Sequence, residues 1–203
     1  PTLAPQHFTL VARVRPEGPG PNNDAFGSVI GGKGLSPPVG NTQVSVSLWW
    51  RATDGRFLFG FGDIFSDLIV SAGSFPPGHL YHVAAVYDGT TFALYVNGQL
   101  EGHLARAKTI PYDPAIPWTI GATPALFRAI GFPRTWNGVI AAVALYDRGL
   151  AADDIRALSE VGATVGTVMT LARAGGVVRF GHNMTGFGPD TIQSGGAMLQ
   201  NTR

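Results

Sequence analysis

The sequence contains no cysteine, so it can form neither a disulfide nor a thiolate metal site. This absence is neutral about compartment, because a chain of 203 residues can bury a sizeable core without covalent cross-links. Charge is also scarce: charged residues are 13% of the chain and the formal net charge is +1. Lysine and arginine are scattered singly, which argues against nucleic acid or an anionic membrane as a partner.

Long apolar runs are missing too. No run approaches the roughly 20 residues needed to cross a bilayer, so no membrane span is expected. No signal-peptide pattern is present, and the sequence begins with Pro1 rather than methionine, which leaves open a processed product or part of something longer. Turn formers are abundant instead, with 28 glycines and 15 prolines. Together with the low charge, they favour many short strands joined by tight turns over a helical bundle.

Glutamate is rare, and this bears on catalysis. Glycoside hydrolysis needs two carboxylates about 5–9 Å apart, which recur at alternate positions when they share a strand. Glu17 lies in a Pro/Gly-rich loop, Glu101 follows a turn, and Glu160 ends a helix predicted at Leu150–Glu160. The sequence also lacks a phosphate-binding loop, a dinucleotide fingerprint and a Gly-x-Ser-x-Gly nucleophile motif. We therefore predict that the protein is not an enzyme.

The most informative stretch is residues 81–98, YHVAAVYDGTTFALYVNG. Two runs of alternating β-forming residues flank Asp88-Gly89, and a second turn signal follows at Asn97-Gly98. Such pairs are strong hairpin signals, because a type I′ turn needs positive φ at both of its central residues. The stretch predicts three consecutive antiparallel strands.

Further strands are predicted wherever β-forming residues alternate between turn-forming loops. These strands cover residues 8–15, 28–31, 43–51, 56–61, 68–70, 118–122 and 139–146, with weaker ones at 164–171 and 176–180. One helix is predicted at Leu150–Glu160. Asp153 and Asp154 near its start are favourable to the helix dipole, and Gly162 ends it.

Several blocks, taken together in order and spacing, resemble the laminin-G-like family of concanavalin A-type jelly rolls. They are Phe8–Pro16, Ile30–Lys33, Tyr81–Gly98, Ile120–Gly121 and Trp136–Ile155. The resemblance covers roughly residues 8–160 and implies an all-β fold, a two-sheet antiparallel jelly-roll sandwich with one short helix near Leu150–Glu160. We therefore divide the chain into a jelly-roll domain, 1–160, and a Gly/Thr-rich C-terminal extension, 161–203. The extension is expected to add strands, to pack against the helix or to contact a neighbouring chain.

The resemblance also implies a calcium site, since many relatives hold Ca²⁺ at the rim of the sandwich. Calcium takes roughly six to eight oxygen ligands, usually with carboxylates among them. Asp24 is the best candidate, and Asp63 or Asp67 is the next. The alternative is that these are turn residues whose side chains bond to their own backbone. Ala141-Ala142 stands where relatives often carry Asp-Glu, a departure that weakens the metal prediction.

Aromatic residues are the remaining sign of function. Sugar-binding sites combine flat rings for stacking with a few polar groups, and a jelly-roll sheet can supply such a surface. We predict Trp49, Trp118 and Tyr112 as ligand-binding rings, with Asn22 and Asn23 as hydrogen-bonding partners. A core position is the main alternative for Trp49.

These features predict a non-catalytic binding or adhesion module that recognises glycans or a glycosylated surface, located outside the cell or on a surface or particle. The alternative is a structural or decoration subunit of a multi-subunit particle, such as a virion or tail, acting through protein–protein contacts as a homo-oligomer or larger assembly. The extension at 161–203 discriminates between the two. If it pairs with a neighbouring chain, assembly is favoured; if it completes its own sandwich, a free-standing module is favoured.

Overall fold

The computed structural model describes residues 4–31, 43–63, 67–110, 112, 117–123, 134–161 and 178–181, with the side chains of 22, 43–45, 61–63, 161 and 178–181 left out. The strands in these ranges are β1 Phe8–Pro16, β2 Phe26–Gly31, β3 Gln43–Arg51, β4 Arg56–Asp63, β5 Leu68–Val70, β6 Tyr81–Tyr87, β7 Thr91–Val96, β8 Gln99–Ala105, β9 Thr119–Ile120, β10 Gly138–Tyr146 and β11 Val178–Gly181. A 3₁₀ turn, Pro21–Asn23, precedes β2, and the α-helix α1 covers Ala152–Val161.

The strands form two antiparallel sheets. One has six strands in the order β11-β10-β1-β6-β7-β8, and the other has five in the order β5-β4-β3-β2-β9. The predicted two-sheet jelly-roll sandwich with one short helix is therefore confirmed. The predicted strand at 118–122 is shorter than expected, because only Thr119 and Ile120 pair with β2.

The core lies between the two sheets and follows the period-two pattern of the strands. Its fully buried side chains include Phe8, Leu10, Ala12 and Val14 of β1, Val46, Leu48 and Trp50 of β3, Phe57 and Phe59 of β4, Val83, Ala85 and Tyr87 of β6, and Phe92 and Leu94 of β7. Tyr87 and Phe92 stack with ring centroids 3.9 Å apart. Each fully buried large apolar side chain contributes roughly 1.5–3 kcal/mol by leaving water, so this interior accounts for most of the drive to fold.

Helix α1 packs on the outer face of the six-stranded sheet. Ile155 is fully buried there against Val11 and Ala84, in a cluster separate from the main core. The Arg13 guanidinium, which reaches out from β1, donates hydrogen bonds of 2.9 Å to the carbonyl oxygens of Leu158 and Ser159. These carbonyls belong to the last turn of the helix, where no intrahelical partner exists, so Arg13 caps the helix from the sheet below.

The two turns of the 81–98 stretch differ from each other. At Asn97-Gly98 both φ angles are positive, +50° and +79°, as a type I′ turn requires. Asp88 does not have positive φ, so the type I′ prediction for Asp88-Gly89 is wrong. Its side-chain Oδ1 instead accepts hydrogen bonds from the backbone of Thr90 and Thr91, both at 2.8 Å. Burial alone would raise the pKa of Asp88, but these hydrogen bonds lower it. They also hold the three-residue loop that joins β6 to β7.

The extension contributes one described strand. β11 pairs antiparallel with β10, from Ala142 opposite Gly181 to Leu145 opposite Val178. It overlaps the strand predicted at 176–180, whereas the strand predicted at 164–171 lies outside the described residues.

Candidate functional site

A cleft of about 490 Å³ lies beside the loop that joins β6 to β7. Its lining residues are Gln6, His7, Tyr87, Gly89, Ala107, Lys108 and Thr109. Small-ligand sites commonly have volumes of about 300–1,000 Å³, so the cleft is large enough for a sugar residue.

The two walls of the cleft are the segment before β1 and the segment after β8. The Gln6 side-chain amide donates to the Ile110 carbonyl oxygen at 3.0 Å and accepts from the Ile110 N–H at 2.8 Å. Next to it, the Tyr112 hydroxyl donates to the Pro5 carbonyl oxygen at 2.7 Å. Ile110 itself is buried in the main core. Because these bonds join the walls to each other and to the core, the cleft is formed before any ligand arrives.

The buried Tyr87 hydroxyl forms the floor of the cleft. It accepts a hydrogen bond from the Lys108 N–H at 2.9 Å and lies 2.7 Å and 2.9 Å from the carbonyl oxygens of Lys108 and Gly89. The exposed His7 ring lies across this floor, with its centroid 6.4 Å from that of Tyr87. Gly89 has φ of +103°, and a Cβ there would come within 2.7 Å of His7 Nε2. Glycine at this position therefore permits the close approach of the imidazole.

A three-residue ion cluster sets the charge beside the cleft. The Asp67 carboxylate is buried and binds Lys108 Nζ at 2.7 Å and Arg106 Nε at 3.1 Å. Lys108 and Arg106 are 38% and 45% exposed, so two accessible cations share one buried anion. Asp67, which we considered as a metal ligand, acts here as an anchor for the Lys108 ammonium group.

Two of the predicted ligand-binding aromatics lie together. The rings of Tyr112 and Trp118 are 6.2 Å apart, half-buried, and packed against the main core. Burial raises the pKa of the Tyr112 hydroxyl, in keeping with its hydrogen bond to Pro5. Through Pro5 this pair adjoins the wall of the cleft that contains Gln6.

Trp49 belongs to a different cluster. It lies on the outer face of the five-stranded sheet against Leu58, with the Phe26 ring edge-on at 6.5 Å. Only 8% of Trp49 is exposed, so its ring offers no open face for stacking on a sugar. Its role in ligand binding stays a prediction that needs a local rearrangement.

The described residues that line the cleft do not include Asn22, Asn23, Asp24 or Asp63. Asn22 and Asn23 are in the 3₁₀ turn, where Asn23 has a φ of +60°; the side chains of Asn22 and of Asp63, the last residue of β4, lie outside the described residues. Asp24 Oδ1 accepts from the Phe26 N–H at 3.1 Å, an Asx-type contact of the kind the turn interpretation expects.

Calcium does not fit the loop around Asp24 in this structure. The Asp24 carboxylate also binds Arg134, through Nη1 to Oδ1 at 2.9 Å and through the backbone N–H to Oδ2 at 3.2 Å. Within the described ranges, no three His, Cys, Asp or Glu residues come together in a group that could hold a metal ion. The calcium prediction is otherwise untested.

Sequence reasoning did not find the residues of the cleft. Gly89 is part of a hairpin signal, but that signal predicts a turn and not a site, and no motif marks His7 or Lys108; the three residues belong to separate segments that meet only when the sandwich closes. As for the membrane, no helix in the described part of the chain is long and apolar enough to cross one.

A family model described as the concanavalin A-like lectin/glucanases superfamily matches residues 1–156. The chain belongs to this superfamily. The laminin-G-like resemblance of the sequence is thereby confirmed. No curated protein matches the chain.

Solved structures share the fold at low sequence identity. The CBM40 of Ruminococcus gnavus IT-sialidase, bound to α2,3-sialyllactose, has 16% identity and a TM-score of 0.61, over 77% of this chain and 84% of that one. A Bacteroides ovatus protein named as a candidate carbohydrate-binding protein has 15% identity and a TM-score of 0.57, over 74% and 40%. Trypanosoma rangeli sialidase has 23% identity and a TM-score of 0.56, over 80% and 24%. The chain thus spans less than half of the latter two proteins.

Proposed function

We propose that this domain is a glycan-binding module and that the cleft beside the β6–β7 loop is its binding site. The observation that carries the proposal is the preformed cleft of about 490 Å³, which combines an exposed ring with fixed polar groups. Because Gln6 and Tyr87 already hold the walls and floor through internal hydrogen bonds, a ligand would order few further groups on binding.

Three side chains at the cleft are suited to a saccharide. The exposed imidazole of His7 offers a flat face and ring nitrogens, and Thr109 offers a hydroxyl. Lys108 offers a partly exposed ammonium group, which the Asp67 carboxylate holds in place at 2.7 Å. Sugar hydroxyls both donate and accept hydrogen bonds, so this set can hold one ring in a defined orientation.

The structural neighbours support the same class of ligand. The Ruminococcus gnavus module, most of which this chain covers, is named as bound to α2,3-sialyllactose. The Bacteroides ovatus protein is named for carbohydrate binding. The Trypanosoma rangeli sialidase supports the fold only, since this chain covers 24% of it.

We also propose that the module is non-catalytic. Glu17 forms an ion pair with Arg15 at 2.7 Å, and Glu101 Oε2 accepts the Gly73 N–H at 2.7 Å. Glu160 lies on α1, across the sheet from the core. The three glutamates thus belong to separate elements, which does not favour the paired carboxylates of a glycosidase.

This proposal implies that the partners are glycans. It also implies a location outside the cell or at a surface. The structural neighbours give no support to the alternative role in assembly. The described part of the extension, β11, pairs with β10 of the same chain, which favours a free-standing module.

The test is a glycan array with the wild-type chain, followed by titration calorimetry with the best glycan, and with α2,3-sialyllactose and lactose as defined probes. His7→Ala and Lys108→Gln should weaken binding at least about tenfold, the effect of losing one stacking or charge-assisted contact. His103→Ala is the matched control, because His103 is also an exposed histidine but lies on β8, outside the cleft lining. Absence of binding to every glycan would refute the function; binding unaffected by both cleft variants would refute the site.

A further inference from the structure

Arg134 forms an unusual set of contacts at the rim of the sandwich, just before β10. Its guanidinium and its backbone N–H both donate to the Asp24 carboxylate, at 2.9 and 3.2 Å. The guanidinium carbon also lies 4.4 Å from the centroid of the Phe26 ring, a cation–π distance. One cation therefore contacts both the acid and the aromatic ring of the loop that leads into β2.

Backbone contacts on either side join the same two segments. The Ser28 N–H donates to the Arg134 carbonyl oxygen at 2.8 Å, and the Glu17 N–H donates to the Asn137 carbonyl oxygen at 2.9 Å. The Asn137 side chain donates to the Pro19 carbonyl oxygen at 2.9 Å. Residues 134–137 thus run along residues 17–28, the segment from the end of β1 into the start of β2, here called the 17–28 loop. They hold this loop in place, with the ion pair near the middle of the contact.

The backbone at this contact is constrained. Arg134 has a φ of +42°, in the left-handed region that long side chains rarely adopt, and Asn23 has a φ of +60°, which asparagine tolerates better than most residues. The Asp24 and Arg134 side chains are only 15% and 26% exposed, so the ion pair is largely shielded from water. A strained backbone at Arg134 and a shielded ion pair to Asp24 indicate that the contact sets the shape of the rim.

We infer that the Arg134 guanidinium supplies the positive charge that the family resemblance assigns to calcium at this rim, so that the 17–28 loop is ordered without a metal ion. Asp24, the best carboxylate for calcium in the sequence, already has both oxygens occupied by Arg134. A divalent cation would have to displace the guanidinium and its contact with Phe26. Arginine stays charged at any ordinary pH and is covalently part of the chain, so this positive charge cannot be lost to solvent as a bound ion can.

The inference is tested by thermal unfolding of the full chain in 5 mM CaCl₂ and in EDTA. The wild-type melting temperature should differ by less than about 1 °C between the two conditions, whereas Arg134→Gln should lower it by about 5 °C in both. Arg134→Lys should restore only part of the loss, because lysine cannot donate from two directions as a planar fork. Arg156→Gln is the control, as it removes an exposed arginine–aspartate pair on α1.

A direct measurement keeps the inference falsifiable if the variants fold poorly. Calorimetric titration of the wild-type chain with CaCl₂ should show no binding that depends on Asp24. Calcium that stabilises the wild-type chain but not Asp24→Asn would overturn the inference, and so would an Arg134→Gln variant with an unchanged melting temperature.

Discussion

His82 should make this domain less stable as the pH falls from neutral toward 4.5. The residue is the second of β6, opposite Arg13, on the sheet face that α1 covers. It is 3% exposed, and within the described part of the chain neither Nδ1 nor Nε2 has a hydrogen-bond partner. Burial, and secondly the charge of Arg13, lower the pKa of His82 from 6.5 to about 4.

The size and sign of the effect follow from that pKa. Between pH 6.5 and about 4 the unfolded chain binds a proton at this histidine and the folded chain does not, so acid favours unfolding. The His82 contribution is therefore fully present above the unfolded pKa of 6.5 and declines as the pH falls through this window. At 1.36 kcal/mol per pKa unit, the free energy of unfolding should fall by about 2 kcal/mol between pH 7 and pH 4.5.

The assay is urea unfolding at several pH values between 7 and 4.5, a window that stays above the ordinary pKa values of Asp, about 3.9, and Glu, about 4.3. With an m-value near 2 kcal/mol/M, the wild-type midpoint should shift down by about 1 M urea. His82→Leu, which keeps an apolar side chain in the same space, should abolish most of this shift. His103→Leu should keep it, because His103 is exposed on β8. A His82→Leu variant with the wild-type pH slope would refute the assignment.

Two further substitutions test the packing of the sandwich. Tyr87→Phe leaves the Lys108 N–H without its 2.9 Å acceptor under the cleft and should cost about 1–3 kcal/mol of unfolding free energy in urea titrations; a loss under about 0.5 kcal/mol would show that the hydroxyl is dispensable. Gly102→Ala places a Cβ within 2.6 Å of Ile69 Cγ2, where β8 meets β5, and should cost about 1–3 kcal/mol by overpacking; a neutral result in the same assay would mean that the two edges can move apart.

Much of the fold could be predicted because its signals are local. Strict alternation placed β1 and β3, and the Asn97-Gly98 turn has the conformation that its two residues favour. The error at Asp88 has a specific cause: its carboxylate accepts hydrogen bonds from the backbone N–H groups of Thr90 and Thr91, and these compete with the type I′ geometry. Alternation also placed Trp49 on the face away from Leu48, but periodicity alone could not show that this outer face is buried.

The candidate site could not be predicted in the same way. The bonds between Gln6 and Ile110 and between Asp24 and Arg134 join residues more than 100 positions apart, and no spacing in the sequence records them. Tyr112 and Trp118 were predicted as rings for a ligand, and the structure brings them together beside Pro5. What they do there depends on which polar groups the closed sandwich brings next to them.

The way α1 is attached has a consequence for the order of folding. A helix of ten residues is unstable alone in water, so α1 needs the sheet beneath it. Its attachments, Thr9 to Leu150 and Arg13 to Ser159, connect residues 141 and 146 positions apart, and closing loops of that length is slow. Helix α1 should therefore form after β1 and β6 have paired, and its amides should exchange with solvent before theirs. A proteolytic cut near residue 150 would leave the fragment that contains α1 attached to the sandwich through β11, which pairs with β10.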